Sequence, residues 1–161
     1  MFTGIISHIG EIKSIDHPAD WEISIELNNH DTSSLSIKEQ KLIIGASICC
    51  SGICLTLKKI SNNILFFDIS NETASKTNFL DWKIGSILNI EKSLKVGDEI
   101  GGHFVYGHVD TTASVQSIEQ IEGSYKISFF MDSDHLKFIA SKGSVTIDGV
   151  SLTVNEVDLN T

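Results

Sequence analysis

GICLTL occupies Gly52–Leu57 and GVSLTV occupies Gly149–Val154. Both runs set a glycine, a β-branched residue, a small nucleophilic side chain (Cys54 or Ser151), Leu-Thr and a strand former in the same order. The likeness extends outward. Shifted by 97, the spacing of Gly52 and Gly149, GASICCSGICLTLKKI (Gly45–Ile60) lies over KGSVTIDGVSLTVNEV (Lys142–Val157), and Ser47 falls on Ser144. Shifted by 103, GIISHIGEIKSI (Gly4–Ile15) lies over GHVDTTASVQSI (Gly107–Ile118), with Gly, Ser and the final Ile coinciding. The two shifts differ by six residues, a loop-length change between tandem copies. The chain therefore reads as a duplicated domain, the first copy over residues 1–96 and the second over 97–161, joined near Lys95–Gly97.

Both copies alternate with period 2. EISIEL, ILFFDIS, SILNIE, YKISFFM and SVTIDGVSLTVNEV are rich in Ile, Val and Phe and are separated by SNN, EGS, DW and glycine-containing turns. Many short strands at regular spacing point to an all-β sandwich or barrel. A single proline leaves the strands largely unbroken. Two short helices are predicted. SDHLKFIASKG has Ser133 as N-cap, Asp134 in the first turn, Leu136, Ile139 and Ala140 inward and Gly143 past the end. A weaker helical turn is predicted near Thr73–Leu80.

The copies are unequal in length. The second copy stops at Thr161, the counterpart of Ile64, whereas the first continues through Ser93. The second copy is thus expected to lack its last two strands and the loop between them. The favoured expectation is that the sequence is a fragment, ahead of a truncated product or a barrel completed by a partner.

The 161 residues are 41% apolar and 20% charged, as in an ordinary globular protein. A formal charge of −9 with no basic run argues against a nucleic-acid partner. No run of about 18 apolar residues spans a membrane. The N-terminal MFTGIISHIGEI lacks a charged start and a long apolar stretch, so a signal peptide is not expected, and the cytoplasm is the expected compartment. Cys49, Cys50 and Cys54 are an odd count with no zinc-like spacing. Reduced thiols in a strand are expected, and no metal.

MFTGII at the N-terminus, GASICCSGICLTL, DEIGGHFVYGHVDTTA and KGSVTIDGVSLTV, in this order, resemble the riboflavin synthase α-chain family. The resemblance runs the length of the chain. It extends to the non-catalytic lumazine-binding antenna proteins that share the duplicated fold. It implies two six-stranded Greek-key barrels per chain, the second truncated here, and a homotrimer with active sites between subunits. It implies a reaction without cofactor. Two molecules of 6,7-dimethyl-8-ribityllumazine dismutate, one giving a four-carbon unit to the other, to yield riboflavin and 5-amino-6-(ribitylamino)uracil. Two copies of one pocket suit two copies of one substrate, and Cys54 against Ser151 marks donor and acceptor as different.

The resemblance also assigns residues. It sets Gly4, Ile5 and Ile6, Cys54, Leu55 and Thr56, and Asp68, Ile69, Ser70, Asn71, Glu72 and Thr73 around a first ligand, with Ser47 beside them. The twin set is Gly107, His108 and Val109 with Ser151, Leu152 and Thr153. Glycines at 4 and 107 let a flat ring approach the main chain, and the threonines offer hydroxyls to its edges. The chemistry starts with loss of a proton from the C7 methyl of one lumazine, so a base near neutrality is useful. His108 stands where the first copy has Ile5, which makes it the candidate base; His103 is expected to be structural. Cys54 and Ser151 are read as polar ligand contacts ahead of covalent nucleophiles, since no cation is visible beside Cys54. Lys142 is expected to reach a neighbouring subunit's ligand. Phe2 and Thr3 are expected to close the interface between two bound rings.

Overall fold

The computed structural model describes residues 1–17, 19–27 and 42–158; the last three positions of the second copy lie outside them. The alternating runs of the first copy become β1 (His8–Asp16), β2 (Trp21–Leu27), β3 (Ser47–Cys50), β4 (Ile53–Ser61), β5 (Ile64–Ile69) and β6 (Ile87–Lys92). They close a barrel in the order β1-β2-β5-β4-β3-β6. Every pairing is antiparallel. The chain connections from β2 to β3 and from β5 to β6 skip past neighbouring strands, as in a Greek key, and closure removes every strand edge. Alternation turns Ile12, Ile23, Ile25, Leu57, Leu65 and Phe67 inward, all fully buried. Trp21 and Trp82 meet Phe79 edge-on, at ring distances of 5.3 and 5.5 Å, and seal aromatic surface onto this core.

Between β5 and β6 the chain forms α1 (Asn71–Lys76) and a 3-10 turn (Asn78–Asp81). Ser70 caps α1 by accepting from the Thr73 amide at 3.1 Å. The helical turn predicted at Thr73–Leu80 thus starts two residues earlier and breaks at Thr77, whose extended backbone caps the 3-10 turn.

The second copy forms two hairpins, β7 (Ser114–Ile121) with β8 (Ser124–Phe130) and β9 (Ser144–Ile147) with β10 (Val150–Thr153). β8 stands 103 positions after β2 and β9 stands 97 after β3, so both sequence shifts align real strands. Among the described residues no strand follows β10. Val115, Ile118, Tyr125 and Phe130 are exposed on the β7–β8 hairpin. The predicted 133–143 helix shrinks to α2 (Ser133–Leu136), and its N-cap is Asp132, not Ser133. Beyond it, the Phe138 and Ile139 amides bond three residues back, a tightened turn. The physical reason is a missing layer: Leu136 and Ile139 are only half-buried and Phe138 is exposed, so little packing sustains a longer helix.

The quoted sequence pair holds the centre of the molecule. Ser51-Gly52 joins β3 to β4, and Asp148-Gly149 joins β9 to β10. All four residues have positive φ (43°, 89°, 46° and 84°), as type I′ hairpin turns require. The turns lie back to back. A side chain on Gly149 would bring its Cβ within 3.0 Å of the Gly52 nitrogen. Asn89 on β6 donates its side-chain amide to the Asp148 carbonyl at 3.0 Å.

Candidate functional site

Each copy sends its leading glycine to the other copy. The Cys54 amide donates to the Gly107 carbonyl at 2.9 Å, and the Ser151 amide donates to the Gly4 carbonyl at 2.8 Å. Gly4 and Gly107 share nearly the same backbone (φ 76° and 74°), which non-glycine residues rarely adopt. The contact is equally close on both sides. A Cβ on Gly107 would stand 2.7 Å from the Cys54 Cβ, and one on Gly4 would stand 2.7 Å from the Ser151 Cβ.

This exchange corrects the grouping expected from sequence. Gly4, Ile5 and Ile6 lie with Ser151, not with Cys54; the Ile6 Cδ1 approaches Gly149. Gly107, His108 and Val109 lie with Cys54, and Val109 packs onto the first barrel's core. The reason is topological. Internal likeness reveals which segments are equivalent, but not that they cross between copies.

A cleft of about 590 Å³ opens beside Cys54, Leu55 and Thr56 on β4, with Asp68 on β5 and Ser70 and Thr73 at the start of α1. It brings together six of the residues assigned from sequence, and Ser47 pairs in register with Thr56 at its margin. Ile69 instead points into the barrel core, and Asn71 and Glu72 are exposed on the first turn of α1. Lys58 and Asp20 also line the cleft. Lys58 reaches Asp68 and Glu22, each at 2.7 Å, and these hydrogen bonds, Asp68 first, raise the pKa of its ammonium. The three cysteines are free. Burial pushes the Cys49 thiol up to about 12 and Cys50 well above its ordinary range, so both are inert packing near neutral pH. Cys54 is half-buried against Phe2, Cys49 and Val105.

The Ser151 side has a different chemistry. The Ser151 hydroxyl lies 2.7 Å from His103 Nδ1, and the Thr146 hydroxyl lies 3.0 Å from His103 Nε2. A neutral imidazole has one donor and one acceptor nitrogen, so one hydroxyl donates to the ring and the other accepts from it. A hydroxyl paired with a histidine is the arrangement of an activated oxygen. His103 was expected to be structural; its contacts with both hydroxyls are what the sequence did not show. Under the shift of 103 its counterpart would precede Met1, so the repeat offers nothing to compare it with. His108 is exposed next to Gly107, on the Cys54 side. Leu152 and Thr153 are exposed on β10. Lys142 has positive φ (65°), and its ammonium lies 3.4 Å from the Asn155 side-chain oxygen on its own copy.

The N-terminus is fixed instead of frayed. Phe2 is fully buried and exchanges two backbone hydrogen bonds with Val105, at 2.7 and 3.0 Å. Thr3 and Gly4 donate to the buried Glu91 carboxylate. Sequence reading passed over Glu91, which sits in the unremarkable strand pattern SILNIEK. Among the described residues, no group of three or more His, Cys, Asp or Glu side chains is placed to hold a metal. No described helix is long and apolar enough to cross a membrane.

Comparison with known proteins places this geometry. The model of the lumazine binding domain family matches residues 3–93 and again 106–161. Riboflavin synthase of Escherichia coli (strain K12) is 40% identical over 159 residues, covering 98% of this chain and 71% of that protein. Riboflavin synthase of Chlamydia muridarum is 39% identical over 158 residues, covering 98% of this chain and 73% of that protein. Among solved structures, LumP complexed with riboflavin superposes with a TM-score of 0.83 at 25% identity, covering 98% of this chain and 82% of that one. LumP complexed with 6,7-dimethyl-8-(1'-D-ribityl)lumazine gives 0.80 at 25% identity, covering 98% and 81%.

Proposed function

The chain belongs to the lumazine-binding family of riboflavin synthases, and on that premise we propose that it converts two molecules of 6,7-dimethyl-8-ribityllumazine into riboflavin and 5-amino-6-(ribitylamino)uracil. The observation that carries this reading is the reciprocal exchange of glycines between two equivalent half-sites with unlike side chains. One half-site has Cys54 with His108 nearby, and the other has Ser151 held by His103. A reaction between two identical substrates that play different parts needs this combination of likeness and difference.

Each half-site holds one lumazine, its ring against strand-end backbone and its ribityl chain toward polar groups such as Asp68, Ser70 and Thr73 in the Cys54 cleft. One histidine takes the proton from the C7 methyl; His108 remains our candidate, with His103 acting through the Ser151 hydroxyl as the alternative. The resulting carbanion attacks the second ring; the C–N bonds holding that ring's four carbons break as the carbons join the first ring, and the abstracted proton ends on the nitrogen of the released 5-amino-6-(ribitylamino)uracil. No cofactor is needed. Alignment of the two rings supplies much of the rate, roughly 7–11 kcal/mol in favourable cases. Lys142 reaches the neighbouring subunit's ligand, Phe2 and Thr3 close the interface between the two rings, the working assembly is a homotrimer, and the compartment is the cytoplasm.

The second reading is a binding protein without turnover. It is favoured by the open face of the β7–β8 hairpin and by the likeness to LumP. One pair of measurements separates the two. Riboflavin added to the protein should lose fluorescence on binding, and 6,7-dimethyl-8-ribityllumazine should turn over to riboflavin in protein with a completed second barrel. His108→Ala should lower kcat by about a hundredfold or more while leaving the riboflavin Kd within about threefold. Binding without turnover in the completed protein selects the second reading, and an unchanged kcat removes His108 from the reaction.

A further inference from the structure

Glu91 lies on β6, far in sequence from the residues it organises, and is 6% exposed. One carboxylate oxygen accepts from the Thr3 amide at 2.7 Å and from the Thr3 hydroxyl at 2.8 Å. The other accepts from the Gly4 amide at 2.9 Å. Two consecutive backbone N–H groups converging on one anion form a nest, and here the positive φ of Gly4 follows directly. The carbonyls of the same two residues point to the other copy. The Thr3 carbonyl accepts from the His103 amide at 3.1 Å, and the Gly4 carbonyl accepts from the Ser151 amide at 2.8 Å. The two residues whose side chains meet at 2.7 Å are therefore both hung by their backbones from the segment that Glu91 grips.

We infer that Glu91 is a positioning residue for the Ser151–His103 pair: a carboxylate of the first barrel sets the spacing of a histidine and a serine in the second half. It touches neither side chain and acts through Thr3 and Gly4. The first barrel's own half-site has a different backbone anchor: the Cys54 amide bonds to Gly107, and its contact with this segment is the packing of the Phe2 side chain, which Glu91 does not touch. All three partners of Glu91 are donors, so only a group with acceptors alone satisfies them. A glutamine turns an NH₂ toward one donor, and an aspartate is a methylene short of the full set. Charge-assisted bonds of this kind are the strong ones. The inference rests on the proposed function only for its catalytic meaning; the mechanical claim stands by itself.

The test uses Glu91→Gln and reads amide hydrogen exchange by NMR. Exchange at the Ser151 and His103 amides should speed up by about 10- to 100-fold, as loss of a hydrogen bond to a charged group predicts. The Cys54 amide, bonded to Gly107, should stay within about twofold. The riboflavin Kd should also stay within about twofold. In a chain that turns over, kcat should fall at least about tenfold with KM changed less than about threefold. Unchanged exchange at Ser151 and His103 overturns the inference. Equal acceleration at Cys54 also overturns it, since Glu91 would then be a general stability residue. Should Glu91→Gln not fold, Thr3→Val removes one donor of the three and should show the same selective pattern, about three- to tenfold at Ser151 and His103; no selectivity there counts against the inference. Failure of the unmodified protein to bind riboflavin would sink the proposed function and leave the exchange result to judge Glu91.

Discussion

The two copies share a sequence pattern and differ in what they bury. In the first, Leu55 follows Cys54 and is 4% exposed inside a closed barrel. In the second, Leu152 follows Ser151 and is 39% exposed on a two-stranded hairpin. The larger described core cluster, of sixteen buried residues, lies wholly between Ile12 and Ile90, and from the second copy only Val105 joins the smaller cluster with Phe2 and Cys49. The β-pattern of each strand is therefore not what makes a barrel. Closure needs the strands that return from β4 to β1, here β5 and β6, because only they pair both open edges and cover the inner face. Among the described residues the second copy has its local turns and pairings and no such strands, since hairpin register is set by the type I′ turn, and Val115, Ile118, Phe130 and Leu152 face outward.

The largest expected effect comes from supplying those strands. A chain extended past Thr161 with a segment patterned on Ile64–Ser93 should bury Leu152, Val115 and Phe130. It should form riboflavin from 6,7-dimethyl-8-ribityllumazine at least about a hundredfold faster than the 161-residue chain at equal subunit concentration. Equal rates would mean that closure of the second copy is irrelevant to chemistry, and the comparison would lose its functional meaning. Next comes the matched pair Leu55→Ala and Leu152→Ala. The first should cost about 2–5 kcal/mol in chemical denaturation, and the second less than about 1 kcal/mol. Similar losses would show that Leu152 is covered in solution, for example by a second copy of the chain.

The smallest effect concerns the two turns. Partial desolvation in the turn raises the Asp148 pKa above its ordinary value, while the residue as a whole stays exposed. A carboxyl raised on folding holds its proton more readily in the folded state, so folding is favoured below the unfolded pKa and loses that advantage as pH rises through the folded one. Asp148→Asn removes the charge and keeps a residue type that tolerates positive φ. It should raise the melting temperature at pH 7 by about 1 °C or less, since solvent screens this exposed carboxylate, and change nothing near pH 3. A loss of stability at pH 7 would mean that the Asp148 charge helps hold the turns together.

The sequence made the duplication and the barrel class legible, because Gly52 and Gly149 mark equivalent turns and alternation marks strands. The residues of the Cys54 cleft were legible through the family resemblance. Three features were not. The crossing of Gly4 and Gly107 is a choice of partner, and a repeat is symmetric under that choice. His103 gains its meaning from Ser151 and Thr146, more than forty positions away, by contacts that leave no local pattern. The helix at 133–143 had a good cap and a good inner face, but amphipathicity sustains a helix only where a layer waits to receive it.

The mutual glycines also bear on how such a chain can change over generations. After a duplication, one copy is ordinarily free to drift while the other carries the load. Here the space beside Cys54 is set by residue 107 and the space beside Ser151 by residue 4, with no room for a Cβ at either glycine. Neither copy can then acquire a side chain at its leading glycine without colliding with its sibling's reactive strand. Cys54 and Ser151 differ between the copies, and the two glycines do not.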